Sequence, residues 1–167
     1  MPNLVDNIVT LKGENIAEIM EWIKYDERPI GTIDFNKIIP MPGFIKQGDL
    51  SGEDYQKFKG HNWYDWRVRH WGTNWAAMYF DEDDFEKAYQ YAKSNQLRFV
   101  TAWSPPDEVL KELSILFPEI EIVDEYDCAE GMFYGVVVFK NGEEIKCEDR
   151  SYEFDEDGNE VEKEKLI

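Results

Sequence analysis

The dipeptide Asn141-Gly142 constrains the fold of this chain more than any other feature. It separates two candidate strands, Met132 to Lys140 and Glu143 to Glu148. Asn-Gly suits the left-handed backbone conformations of a two-residue turn, and such a turn joins antiparallel strands. The sequence therefore predicts an antiparallel hairpin near the C-terminal end, and a second hairpin is plausible around Asp157-Gly158.

The elements before this hairpin set the fold class. Apolar residues at helical spacing predict three helices, and short β-branched runs predict strands between them. In chain order these are a strand at Val5 to Leu11, a helix at Ile16 to Ile23, a helix at Phe85 to Ala92 and a strand at Leu97 to Trp103. They are followed by a helix that contains Val109, Leu110 and Leu113 and by a strand at Ile120 to Tyr126. Ser104 is placed to cap the last of these helices. This order is typical of an α+β fold with helices on one face of a mainly antiparallel sheet and a C-terminal β-hairpin extension. A length of 167 residues with 43% hydrophobic content predicts one domain over residues 1–167.

Charge limits the partners that such a domain can have. The chain has 36 Asp and Glu against 18 Lys and Arg, which gives a net charge of −18. Nonspecific binding of nucleic acid needs clustered cationic side chains, so this composition argues against direct nucleic-acid binding. Disorder is also disfavoured, because 15% of the residues are aromatic and large aromatic side chains bury much apolar area.

The segment from His61 to Trp75 contains four of the six Trp residues, together with two Arg and both His. One interpretation is a stacking surface of Trp63, Trp66, Arg67 and Arg69 that binds a nucleotide or a nucleic-acid base. The other is that the indoles belong to the core, and it is favoured because Trp is highly buried on average. It predicts burial for Trp63, Trp66, Trp71, Trp75 and Trp103.

Several motifs resemble one known family. They are Ile39-Pro40-Met41-Pro42, Asn62-Trp63-Tyr64-Asp65-Trp66, Trp71-Gly72-Thr73-Asn74-Trp75 and Thr101-Ala102-Trp103-Ser104-Pro105-Pro106. In this order they resemble the YubB-like family of ferredoxin-like proteins, which phages, plasmids and other mobile elements carry. The resemblance implies a ferredoxin-like fold and a mobile-element setting, and it implies no established reaction. The chain departs from the family pattern at Asn74, where Lys is common, and at Ala76, where Asn is common.

Signatures of catalysis and of metal binding are weak. The spacing of His61, His70, Cys128 and Cys147 matches no zinc pattern. No glycine-rich phosphate loop is present, and no local signature links a Cys or Ser nucleophile to a His base. We therefore predict no metal site, no cofactor and no enzyme activity, while an active site assembled without a sequence signature stays the alternative.

The expected location follows from the cysteines and the N-terminal residues. Two cysteines do not form the dense, even set of a secreted disulfide scaffold, so a reducing compartment is favoured. The first residues lack a basic segment followed by an apolar run, and no window is apolar enough to predict a membrane span. We expect a cytoplasmic protein without a membrane partner.

The last third of the chain is the most acidic part. Residues 104–167 contain 20 acids and 6 bases, and the predicted acidic β-meander occupies approximately residues 130–167. Eight carboxylates on or beside its hairpins are expected to share one exposed surface: Glu143, Glu144, Glu148, Asp149, Glu153, Asp155, Glu156 and Asp157. Alternate residues of a strand lie about 6.5–7 Å apart, close to the separation of phosphates along one DNA strand.

Three functions remain open from these observations. The first is a DNA mimic, in which the carboxylates occupy the basic surface of a host nucleic-acid-binding or defence protein, such as a CRISPR effector, and inhibit it. The second is a small nucleic-acid or nucleotide-binding module that uses the Trp and Arg residues of the central segment. The third is an enzyme whose active site has no sequence signature. For the acidic residues themselves, the alternative is a solvated face that only keeps the domain soluble. The charge distribution favours the first, and the oligomeric state is left undetermined.

Overall fold

The computed structural model describes residues 1–167 and contains five strands and six helices. Their bounds are β1 Leu4–Lys12, α1 Ile16–Ile23, α2 Phe35–Ile38, α3 Gly52–Lys57, α4 Trp63–Trp71, α5 Glu82–Ala92, β2 Gln96–Ala102, α6 Asp107–Leu116, β3 Glu121–Cys128, β4 Phe133–Lys140 and β5 Glu143–Ser151. The elements predicted by hydrophobic spacing are all present. The central Trp-rich segment, which the sequence left without an assignment, forms α4.

The five strands form one sheet in the order β2-β1-β3-β4-β5. Every neighbouring pair is antiparallel, and β1 lies between β2 and β3 with Val9 opposite both Leu97 and Asp124. The fold is therefore a ferredoxin-like α+β arrangement with an antiparallel sheet, as predicted. Strand β5 lies at one edge of the sheet, so the edge that faces away from β4 is available for pairing with a partner.

The inner face of the sheet, which carries Val9, Ile122 and Val137, holds the main core. Its alternate residues pack against α1 and α6, whose apolar residues recur at helical spacing. The outer face carries a smaller cluster of Val123, Val136 and Val138, against which Leu166 of the C-terminal segment packs. Helix α5 lies beside the other edge strand, β2.

The two turns predicted in the acidic part are present. Asn141 and Gly142 have φ values of 49° and 76°, the left-handed conformations of a tight hairpin turn. The second turn contains Gly158 with φ of 83° and closes with a bridge between Phe154 and Glu160. Helix α6 differs from the prediction, because it begins at Asp107 after Pro106 and has no side-chain cap from Ser104.

Candidate functional site

Helix α4 positions the central motif. Asn62 precedes it, and the Asn62 side chain accepts a hydrogen bond from the Asp65 backbone N–H at 2.9 Å. The Asp65 carboxylate in turn accepts hydrogen bonds from the Gly60 backbone N–H at 2.8 Å and from the Asn62 amide at 2.8 Å. The bond from Gly60 is the largest of the effects that lower the pKa of Asp65. The acidic residue of the motif therefore fixes the start of the helix.

Two indoles of this motif belong to the core, as predicted. Trp66 and Trp71 are 7% and 0% exposed, and their rings meet edge to face at 5.6 Å. The Trp71 indole N–H donates to the backbone oxygen of Ile39 at 3.0 Å, which satisfies its only donor inside the protein. Trp63 and Trp75 are half-buried, so they contribute less to the core than predicted.

The predicted stacking surface of Trp63, Trp66, Arg67 and Arg69 is not formed as one surface. The Arg67 guanidinium lies 5.1 Å from the Trp63 ring and 5.0 Å from the Trp71 ring, and burial lowers its pKa. Trp66 faces the core, while Arg69 is exposed. Because Arg67 covers the indoles and Trp66 is inside, this segment offers no row of free aromatic faces to bases.

Trp103 was predicted to be buried, and this prediction is wrong. The residue is 50% exposed and has a left-handed backbone with φ of 72°. Such a conformation is an outlier for a bulky residue. The Trp103 backbone N–H donates to the Asn3 carbonyl at 2.8 Å, which holds the turn against β1 and directs the indole to the surface. Strain of this kind persists only where surrounding contacts enforce it, and it concentrates at functional sites.

A small pocket of about 190 Å³ lies beside Trp103. Its lining includes Tyr64, Val68, Thr73, Asn74, Trp103 and Ser104. These residues come from two separate parts of the sequence, α4 with the segment directly after it and the end of β2 with the turn that follows. The motifs are visible in the sequence, but no local pattern indicates that they meet.

Hydrogen bonds hold the walls of this pocket together. The Thr73 hydroxyl donates to the Ala102 carbonyl at 2.8 Å, and the Ser104 hydroxyl donates to the Gly72 carbonyl at 2.6 Å. The Thr101 hydroxyl donates to the Ser104 carbonyl at 2.8 Å. Ser104, predicted as a helix cap, therefore joins the turn after β2 to the end of α4.

The Asn74 side chain, which also lines the pocket, takes no part in this network. Asn74 is only 6% exposed, and its Oδ1 atom is buried without a hydrogen-bond partner. A buried acceptor that has lost water without gaining a donor costs about 1–3 kcal/mol. Asn74 lines the pocket, but this oxygen is closed off from solvent and does not face the pocket's interior.

The acidic residues of β5 do not share one surface, contrary to the prediction. Glu148 lies on the outer face, where Lys146 and Arg150 flank it and form ion pairs at 3.2 and 3.0 Å. Asp149 is directed to the other face and accepts a hydrogen bond from the Tyr126 hydroxyl. Glu143 and Glu144 are exposed at the beginning of the strand, far from the turn that follows its end. The alternation of a strand separates these carboxylates, so no continuous row with phosphate spacing forms along β5.

The turn after β5 contains the other four predicted carboxylates. Asp155 accepts backbone N–H bonds from Asp157 at 3.0 Å and Asn159 at 2.8 Å, and these bonds lower its pKa. It therefore has a structural role in the turn. Glu153, Glu156 and Asp157 are exposed, and their carboxylates make neither a hydrogen bond nor an ion pair within the protein.

An acidic cluster that the sequence did not indicate lies under α6. Asp124 of β3 is completely buried, and neither carboxylate oxygen has a hydrogen-bond partner. Burial raises the pKa of Asp124, and the nearby Asp107 carboxyl raises it further. Burial likewise raises the pKa of Asp107 to about 7, with smaller effects from Glu144 and Asp149. The strand pattern alone could not identify Asp124 as buried, because its residue type is almost always exposed.

Comparison with known proteins identifies the family. Residues 74–167, more than half of the chain, match the family model described as the ferredoxin-like domain in Api92-like protein. The chain belongs to this family. The ferredoxin-like fold implied by the YubB-like resemblance is thereby confirmed, whereas the mobile-element setting stays a prediction.

This ferredoxin-like domain has a distant similarity to a protein of known structure. The crystal structure of protein api92 from Yersinia pseudotuberculosis is 20% identical, with a TM-score of 0.39 over 54% of this chain. The domain covers 30% of the Api92 chain, so it spans less than a third of that protein. No curated protein matches it.

The matched region includes Asn74, the Trp103 turn, the buried acidic cluster and the turn after β5, but not α4. Cys128 and Cys147 are unpaired, and no three His, Cys, Asp or Glu side chains are arranged to hold a metal ion. None of the helices of this ferredoxin-like domain is long and apolar enough to cross a membrane.

Proposed function

We propose that this ferredoxin-like domain is a non-enzymatic acidic binding protein that occupies the basic surface of a host nucleic-acid-binding or defence protein. It would act in the cytoplasm as a DNA mimic and inhibit its target, in the manner of an anti-CRISPR protein. The mobile-element setting implied by the YubB-like resemblance is consistent with such a role. The net charge of −18 supports a cationic partner.

The observation that carries this proposal is the turn after β5. The carboxylates of Glu153, Glu156 and Asp157 are exposed and form no ion pair, whereas Glu148 in the preceding strand forms two. Lys146 and Arg150 already compensate Glu148, so that carboxylate adds little to the field outside the protein. The three free carboxylates would attract a cationic groove and steer its approach. We therefore assign the contact to this turn and not to the whole length of β5.

Binding to a defined class of proteins tests the proposal. The immobilised domain is exposed to the heparin-binding fraction of a bacterial lysate, and the retained proteins are eluted with duplex DNA as a competitor. We expect retention that falls steeply with salt and release by the duplex, because DNA and the domain would compete for one cationic surface. Retention that the duplex does not affect would contradict mimicry.

A charge-matched pair of variants locates the contact. The test variant carries Glu153→Gln, Glu156→Gln and Asp157→Asn, and the control carries Glu14→Gln, Glu27→Gln and Asp49→Asn, which are exposed acids outside the turn. Both lose three negative charges. We expect the test variant to bind about tenfold more weakly and the control to bind nearly as the unmodified domain does, since each rim charge contributes up to roughly 1 kcal/mol. Equal weakening in both variants would show that only net charge matters.

A further inference from the structure

The two edges of the sheet differ in how they are covered. At the β2 edge, Met78 and Val100 exchange backbone hydrogen bonds of 2.9 and 3.2 Å, and α5 lies beside this strand. At the other edge, β5 pairs with β4 on one side and with no strand on the other. A strand of nine residues with an open side is a template for pairing with another strand.

The backbone groups that point away from β4 can be identified from one hydrogen bond. The Tyr152 N–H, directly after β5, donates to the Met132 carbonyl directly before β4 at 3.0 Å. The direction of hydrogen bonding alternates along a strand, so the even-numbered residues from 146 to 150 also face β4. The backbone groups of Cys147 and Asp149 therefore point outward. Consistent with this, the Asp149 carbonyl accepts from the exposed side chain of Arg150 at 3.0 Å.

The side chains of this edge favour one register for a symmetric pair. Residues that lie opposite each other across a two-fold axis must share a face of the sheet, so the axis passes through one residue. Among residues 146–150 only Cys147 is uncharged, and an axis at any other would bring two identical charges together. An axis at Cys147 instead places Lys146 of each copy opposite Glu148 of the other. Both of these side chains are on the outer face, opposite Val138 and Val136 of β4.

We propose that two copies of this chain form a dimer through β5, antiparallel and with Cys147 at the two-fold axis, so that their sheets join into one. The Cys147 residues then form a hydrogen-bonded pair. Lys146 and Glu148 form the flanking non-hydrogen-bonded pairs, in which opposite side chains are closest. This inference goes beyond the proposed function and does not use the turn after β5.

The same strand limits the strength of the dimer. The β-bulge between Val138 and Phe139 of β4 disturbs β5 near Ile145, so only the few residues around Cys147 can pair regularly. Each copy also has a net charge of −18, although repulsion beyond a Debye length of about 8 Å is screened at physiological salt. We therefore expect a weak dimer with a dissociation constant in the micromolar range, as is typical of small interfaces.

A charge exchange between two variants tests the register. Lys146→Glu and Glu148→Lys each bring like charges together in a dimer of identical chains, whereas an equimolar mixture restores both opposite-charge pairs. In sedimentation equilibrium at about 0.15 M salt, we expect the unmodified domain to dimerise, each variant alone to associate at least about tenfold more weakly, and the mixture to recover. Recovery also shows that both variants fold.

Net charge alone predicts a different order. Glu148→Lys makes each copy less negative and Lys146→Glu makes it more negative, so the mixture would associate with a strength between those of the two variants. A mixture that associates no better than the stronger of the two variants would overturn the proposal. So would an unmodified domain that is monomeric at about 0.5 mM, well above a micromolar dissociation constant.

Cross-linking tests the position of the axis. Cys147 is exposed and Cys128 is buried, so we expect a short bis-maleimide to join two copies of the unmodified domain through Cys147. The matched control combines Cys147→Ser with Ser151→Cys, which moves the thiol along the same edge. In the proposed register the two thiols of this control lie about 27 Å apart, so we expect no cross-linked dimer. Equal cross-linking of both proteins, or none of the unmodified domain, would contradict the proposed pairing.

Discussion

Asp124 is the acidic residue whose surroundings are least favourable for a charged carboxylate. Its carboxyl is buried on the inner face between Val9 and Val137, which lie opposite it in the neighbouring strands. No cation and no donor reaches either oxygen. An ionised carboxylate in such a place is very costly, so the group takes up a proton instead. The Asp107 carboxyl is close enough to raise the pKa of Asp124. It is itself buried, though less completely, and its own pKa is raised for the same reason.

This environment predicts a stability that depends on pH. The pKa values of both carboxyls are higher in the folded protein than the ordinary value of 3.8, so folding favours their protonated forms. The stabilising effect is complete below that value and is lost as pH rises, for Asp107 through about pH 7. We expect the free energy of unfolding to be higher at about pH 5 than at about pH 8, by roughly 2–4 kcal/mol, in urea titrations.

Asp124→Asn separates this effect from general charge repulsion. The amide cannot ionise, so we expect the variant to be more stable than the unmodified protein by at least about 2 kcal/mol at pH 8 and nearly equal to it at acidic pH. Asp49→Asn, which removes the same charge from an exposed position, is the control and is expected to change stability little. A destabilised Asp124→Asn protein at pH 8 would mean that the carboxylate has a partner in solution.

At the scale of elements, periodicity and turn chemistry were sufficient for most of the fold. The spacing of Ile16, Ile19 and Ile23 identified α1, and Asn141-Gly142 identified the last hairpin, because these signals are local. Helix α4 has no clear apolar stripe, since Trp66 and Trp71 face the core while Arg67 lies across an indole. The exposure of Trp103 depends on contacts with Asn3 and Gly72, which no local pattern contains.

The glycines of the two hairpin turns can be used to test how closely each turn packs against the rest of the protein. Gly142 and Gly158 have similar positive φ values of 76° and 83°. A Cβ at Gly142 would lie 2.7 Å from the Ile115 side chain, whereas nothing lies within 4 Å of one at Gly158. The Gly142 backbone N–H also receives support from Ser114, to which it donates at 2.9 Å.

We therefore expect Gly142→Ala to reduce the free energy of unfolding by about 2–3 kcal/mol, from left-handed strain and from displacement of Ile115. Gly158→Ala carries the same backbone strain, but the turn after β5 can relax locally, so we expect a loss of about 1 kcal/mol or less. Chemical denaturation of both variants measures the difference. A larger loss for Gly158→Ala would show that the C-terminal segment over the outer face contributes more to global stability than the β4–β5 hairpin.

The net charge of the whole molecule can be predicted from the sequence, but the placement of the charged side chains in the folded protein cannot. The composition fixed the sign and size of the charge, but ion pairs of Lys146 and Arg150 with Glu148 depend on which residues share a face. Burial removes Asp124 from the surface altogether. Fewer carboxylates are therefore exposed and unpaired than the sequence suggested, and three of those that are, Glu153, Glu156 and Asp157, lie in the turn after β5.

This distribution predicts that the isolated domain does not bind DNA or RNA. The central segment holds the cations best placed for phosphates, but Arg67 is packed between indoles, and Arg69 alone is too little against a net charge of −18. In fluorescence anisotropy titrations with single-stranded and duplex oligonucleotides at about 0.15 M salt, we expect no binding at micromolar protein, since repulsion acts over a Debye length of about 8 Å. Micromolar binding that Arg69→Ala abolishes would contradict this expectation and support a nucleic-acid-binding role for α4. Binding that is unchanged in Arg69→Ala would place the nucleic-acid contact elsewhere and remove the electrostatic basis of mimicry.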